Sequence, residues 1–213
     1  MTRGKYGFQM IFRHSNALAI ESRRLFKVEN HTIERAFVVL DALFDYLQKQ
    51  PKTLARNVKL VLLTRFINHI FSAHLLVERG LLLDAHNPLR SALESVAFYW
   101  LVCFDPASAE QFEGRNSPRP VEIRRRLEEL GADVSGLRDE YSFLSEVSHV
   151  GNPTEHIQLD WKTKNDATLL VGGARNISIQ RHLLAAMPNM IGKFLLYESA
   201  MKDAAFPYQG LLA

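Results

Sequence analysis

TLARNVKLVLLTRFINHIFSAHLLVER, residues 53–79, is the stretch that decides the fold. Val58, Leu62, Phe66, Ile70, Ala73 and Val77 recur at three- and four-residue steps, the period of an α-helix. Leu60, Leu63, Ile67 and Phe71 place apolar side chains on the other side as well. A helix apolar on nearly every side belongs among neighbours. The spacing therefore predicts a central helix over Thr53–Arg79, closed by Gly80.

The same period extends outward. Upstream, Ile33, Phe37, Leu40, Phe44 and Leu47 predict a helix over His31–Lys49, stopped by Pro51. Ser15–Lys27 predicts a shorter one, and Met1–Tyr6 reads as a frayed end. Downstream, Leu89, Leu93, Val96, Trp100 and Phe104 predict a second core helix over Leu81–Phe104, with Asn87-Pro88 as a start or kink. A loop over Glu113–Pro120 leads to helices over Val121–Leu130 and from Ser135 to about Val150. Ile157, Leu159 and Trp161 alternate and, with Thr168–Val171 beyond Lys164-Asn165-Asp166, predict a β-hairpin. Ser178–Ala205 predicts a last helix, kinked or split at Pro188. The expected fold class is mainly α: one domain over residues 1–213, a bundle of five to seven helices, with a small β-hairpin appendage at about 156–172.

Composition bounds the function. With 213 residues and 47% apolar content the chain can bury a core without staples. Cys103 is the only cysteine, which excludes an internal disulfide and a multi-cysteine zinc site. Within the apolar run Phe98–Phe104 it reads as a buried structural thiol. No secretory pattern opens the chain and no apolar run approaches the ~20 residues of a span, so a cytoplasmic protein with no membrane partner is expected. A net charge of +3 is too mild to establish a nucleic-acid partner. The positive charge is local, at Arg23-Arg24, Arg115–Arg119 and Arg124-Arg125-Arg126, each able to meet phosphates or to form a solvated face.

Three helices carry polar residues that need explaining. On the central helix His69 falls near the middle of the apolar face, with Arg65 one turn earlier. Buried, they would need partners, and they are candidate ligand-binding residues. Arg90 and Glu94 are four apart on the next helix, either a structural ion pair or an anion-binding arginine oriented by its carboxylate. Ser142, Ser145 and His149 share one side of a later helix. His149 is either a C-terminal capping histidine or a general acid or base, and Ser145 a ligand contact. A serine four residues before a histidine on one helix is not a hydrolase triad, and no Gly-x-Ser-x-Gly elbow is present. His69, His74 and Glu78 are the best metal donors, but the two histidines diverge by about 140° on a helix. No metal and no cofactor are expected.

Asn87-Pro88-Leu89-Arg90-Ser91-Ala92-Leu93-Glu94 and Tyr141-Ser142-Phe143-Leu144-Ser145-Glu146-Val147-Ser148-His149 together resemble an uncharacterised helical family of the HEPN-like superfamily. The resemblance covers roughly residues 37–151. It implies a bundle of four or five helices that often dimerises. Some such proteins are metal-independent ribonucleases of toxin or defence systems, with an arginine four to six residues before a histidine near a helix end. Here Arg79 and His86 have the formal spacing, with Gly80 between them, and Arg65 and His69 are one residue closer. The leading expectation is a binding or interaction module in which Arg90, Glu94 and His149, with Ser145, His69 and Arg65 beside them, hold a small anionic ligand. The alternative is such a ribonuclease, with His149 as general acid or base and Arg90 steadying the phosphate. A homodimer and RNA are the candidate partners.

Overall fold

The computed structural model describes residues 8–112, 118–148, 159–163, 166–169 and 176–198. Among these the chain is mainly helical. α1 (Phe8–Leu25) and α2 (Lys27–Lys49) are separated only by Phe26, which is fully buried and leaves the helical region at φ −110°, ψ 43°. Both begin earlier than their apolar spacing suggested. α3 (Leu54–Glu78) starts at Thr53, whose side chain accepts the amide hydrogen of Arg56 at 3.1 Å. It ends at Gly80, whose φ of +71° only glycine adopts freely. Gly80 N–H then donates to Val77 O and Leu81 N–H to Leu76 O, which satisfies two terminal carbonyls.

α4 (Leu82–Phe104) follows at once, so Asn87-Pro88 lies inside the helix and does not start it. Every residue from Ser95 to Val102 is buried. α4, and not α3, is therefore the enclosed helix of the bundle. α3 buries Val58, Leu62, Leu63, Phe66, Ile70, Ala73 and Val77 but leaves Val61 and Phe71 exposed. Apolar residues on its far side reflected composition, while the partners of α3 cover one face. By length and composition α3 does qualify as a candidate membrane span, contrary to the expectation that no helix would.

A short 3₁₀ turn (Pro106–Gln111) leads from α4, and α5 (Pro120–Glu129) and α6 (Ser135–Ser148) pack against it. Gly131 closes α5 by the same pair of backbone bonds seen at Gly80, to Glu128 O and Leu127 O. α7 (Ile177–Leu195) runs through Pro188 without splitting and contacts α2, α3 and α4. It stops ten residues short of the expected Ala205, because Leu196 and Glu198 amides close back on Lys193 and Leu195 carbonyls while the Glu198 carboxylate turns into a buried polar cluster. Phe66, Phe194 and Tyr99 stack in series at the centre, with ring centroids 4.5 and 4.1 Å apart.

β1 (Leu159–Thr163) and β2 (Asp166–Leu169) pair antiparallel, with Leu159 opposite Leu169 and Thr163 opposite Asp166. The second strand thus begins two residues before the expected Thr168, since Asp166 is already paired and is not part of the turn. The remainder of the expected 156–172 segment lies outside the described residues.

Candidate functional site

The charged side chains of α4, Asp84, Arg90 and Glu94, all precede its buried stretch from Ser95. Arg90 and Glu94 face α6 at the boundary between core and solvent, each side chain about one-third exposed. Their closest approach is 3.5 Å, from Arg90 Nε to a Glu94 oxygen. The stronger tie of Arg90 is to α6: its Nη2 donates to the Tyr141 hydroxyl at 2.6 Å, and its guanidinium lies 4.9 Å from that ring. The hydroxyl in turn donates to Glu94 at 3.4 Å. From α5, Arg124 places its guanidinium 4.7 Å from the same ring. A tyrosine between two guanidinium groups holds both cations by their attraction to its π face.

From α3, His69 feels the charge of Glu94. His69 is half-buried, and burial, then the charge of Arg65, lower its pKa against a smaller opposing pull from Glu94. Arg65 is exposed. The two sit at the edge of the buried face, not in its middle, because the face covered by α4 and α7 is centred on Phe66, Ile70 and Val77. Arg90, Glu94, Arg124 and Tyr141 are thus in contact across α4, α5 and α6, and Glu94 acts electrostatically on His69 of α3. Arg125 and Arg126 both lean on Glu129, Arg119 on Glu122, and Arg138 on Glu128. Neither Arg124 nor Arg65 has a carboxylate within ion-pair distance among the described residues.

Of the expected site residues, Arg90 and Glu94 are in contact and Glu94 acts electrostatically on His69, while Arg65 has no hydrogen bond or ion pair with them among the described residues. Ser145 lies one turn beyond Tyr141 along α6, whose last described residue is Ser148; the Ser145 side chain and all of His149 lie outside the described residues. Ser142 is exposed. Tyr141 was missed by sequence reasoning, although its four-residue step to Ser145 was the available signal. Arg124 was visible only as one of three adjacent arginines.

The other polar groups resolve elsewhere. The suggested metal trio is divided: His74 Nε2 is 2.8 Å from Asn30 Oδ1 and 3.9 Å from Glu78, while His69 belongs to the cluster above. Arg23 donates twice to the buried Glu78, at 2.7 and 2.8 Å, and so fastens α1 to α3. Arg79 donates to Leu75 O, and His86 is buried with Nδ1 2.7 Å from Leu82 O, so both members of that arginine–histidine spacing serve their own helices.

A second buried polar group lies at the far end of α4. Glu198 accepts from the Tyr99 hydroxyl and from Lys59 Nζ at 3.1 Å, with Cys103 Sγ 3.7 Å away. Burial, then the Glu198 charge, push the Cys103 thiol up to about 12 and raise the Tyr99 phenol well above its usual range. Cys103 is thus a neutral thiol at neutral pH, without nucleophilic character. Both groups have folded-state pKa values above their unfolded ones. The stability they contribute is present below the ordinary values of 9.0 and 10.0 and is lost as pH rises through the folded values. Urea midpoints are expected to stay level to about pH 8.5 and then fall toward pH 11. A midpoint unchanged between about pH 8 and pH 11 would show that these groups are exposed.

No family model, no curated protein and no solved structure matches this chain.

Proposed function

We propose that this chain is a binding module of the HEPN-like helical-bundle kind, and that the α3–α6 cluster holds a small anionic ligand. One observation carries the reading: Arg124 lies against a pre-arranged Arg90–Tyr141 pair without a carboxylate of its own among the described residues. Guanidinium forks are suited to carboxylate and phosphate oxygens, and rigid placement reduces what binding must order. Glu94 orients Arg90 and is not itself a ligand contact. A cytoplasmic setting and a second copy of the chain belong to the same reading. Arg56, Lys59 and Arg65 along α3 argue against a span. Met10 and Ile20 leave apolar surface exposed on α1. The paired strands are read as a small appendage of the bundle.

Thermal unfolding in inorganic phosphate tests the reading. Phosphate at about tenfold its dissociation constant is expected to stabilise by ~1.4 kcal/mol, roughly 3–5 °C for a domain of this size. Arg124→Ala is expected to abolish the shift while leaving the ligand-free midpoint in place. An equal shift in wild type and variant would remove the site. The same protein incubated with mixed RNA and chelator is expected to leave the RNA intact; chelator-resistant cleavage would transfer support to the ribonuclease.

A further inference from the structure

α2 and α7 pack against each other, yet they leave between them a cavity of about 250 Å³, partly open to solvent. Buried Val39 of α2 and buried Ile191 and Leu195 of α7 form its apolar wall. Two residues of α7 leave this space unfilled. Pro188 and Gly192 are four apart, so they share one face of the helix, and both line the cavity. Glycine is a poor helix former beside alanine. Nothing steric requires one at 192: its φ is not positive, and a β-carbon there would meet no neighbouring atom within 4 Å. Its effect is to keep open room that a side chain would take up.

The exposed edge of the cavity is cationic. His31 and Arg35 are four apart on α2, both are exposed, and both line the cavity. Arg35 has no hydrogen bond or ion pair among the described residues, so its guanidinium fork is open. None of the lining residues is a carboxylate; Glu34, 3.7 Å from His31, lies outside the lining. An open fork beside an apolar hollow matches a ligand with one carboxylate and a hydrocarbon body. A phosphate dianion would set its remaining oxygens against an apolar wall that offers them no donors. At about 30 Å³ for each water-sized group, the volume takes about eight non-hydrogen atoms. We infer that the α2–α7 cavity is a second site, sharing no residue with the α4–α6 cluster, and that it binds a small monocarboxylate with an apolar tail of about six carbons. Arg35 takes the carboxylate, and the tail lies over Gly192 against Ile191 and Leu195.

Calorimetric titration of the full chain with hexanoate and with 1-hexanol at neutral pH tests this. Hexanoate is expected to bind at least about tenfold more tightly, the gain from a charge-assisted fork. Butanoate, two methylene groups shorter, is expected to bind about tenfold more weakly than hexanoate. Arg35→Gln, at an exposed position, is expected to bring hexanoate down to the level of hexanol. Gly192→Leu places a side chain in the cavity and is expected to abolish hexanoate binding without lowering the thermal midpoint. Arg124→Ala alters the other site and is expected to bind hexanoate as the wild type does. Absence of hexanoate binding, equal affinity for hexanoate and hexanol, or binding that survives Gly192→Leu overturns the proposal. Should Gly192→Leu fail to fold, an Arg35→Gln variant with undiminished hexanoate affinity overturns it equally. Loss of hexanoate binding in Arg124→Ala would move the carboxylate to the α4–α6 cluster, which overturns the second site and leaves the anion-binding reading standing.

Discussion

Glu198→Ala is expected to cost about 3–5 kcal/mol, the range for removing one partner of a buried ion pair. The Glu198 side chain is about 1% exposed and that of Lys59 about 16%, so the ammonium would be left largely out of water without its carboxylate. The Tyr99 hydroxyl, also buried, would lose its acceptor in the same step. Burial by itself disfavours the Lys59 ammonium, yet the charge and hydrogen bond of the Glu198 carboxylate help hold its pKa above the ordinary lysine value. That balance is what the substitution destroys. Urea unfolding checks the magnitude, and a cost under about 1 kcal/mol would mean that water reaches Lys59. A Lys59→Met, Glu198→Leu double variant is expected to recover most of the loss, because replacing both charges with apolar groups leaves no unpaired charge.

The second large effect is in the aromatic column. Phe66→Ala is expected to destabilise by about 3–5 kcal/mol. Phe66 is fully buried and stacks on Phe194, which in turn packs against Tyr99. The three rings come from α3, α7 and α4, so removing one opens a void where three helices meet and no single helix can move in to fill it. Phe71→Ala, on the same helix but exposed, is expected to change stability by no more than about 0.5 kcal/mol. Comparable losses at both positions would contradict the burial pattern of α3.

Helix identity was legible because it rests on local periodicity. The start of α3 at Thr53, its close at Gly80 and the opening of α5 at Pro120 follow from side chains or φ angles that act within one turn. Which helix lies at the centre was not legible. α3 and α4 are both apolar on more than one side, and only their neighbours distinguish them: Ser95–Val102 is covered all round, whereas Phe71 faces solvent. The length of α7 was misjudged for a similar reason. A continuous apolar pattern runs past Leu195, but the Glu198 carboxylate is drawn toward Lys59 and Tyr99, residues far away in the chain.

The candidate site divides along the same line. By itself the amino-acid sequence determined that the chain is mainly helical, that Arg90 and Glu94 share a helix face, and that Arg65 and His69 share another. Those statements depend only on the 3.6-residue turn. Tertiary structure alone decided that the Arg90–Glu94 face meets Tyr141, that Arg124 joins it while Arg125 and Arg126 are neutralised by Glu129, and that His74 pairs with Asn30 and Glu78. Charge pairing between helices depends on distances across the bundle, and no local period encodes those.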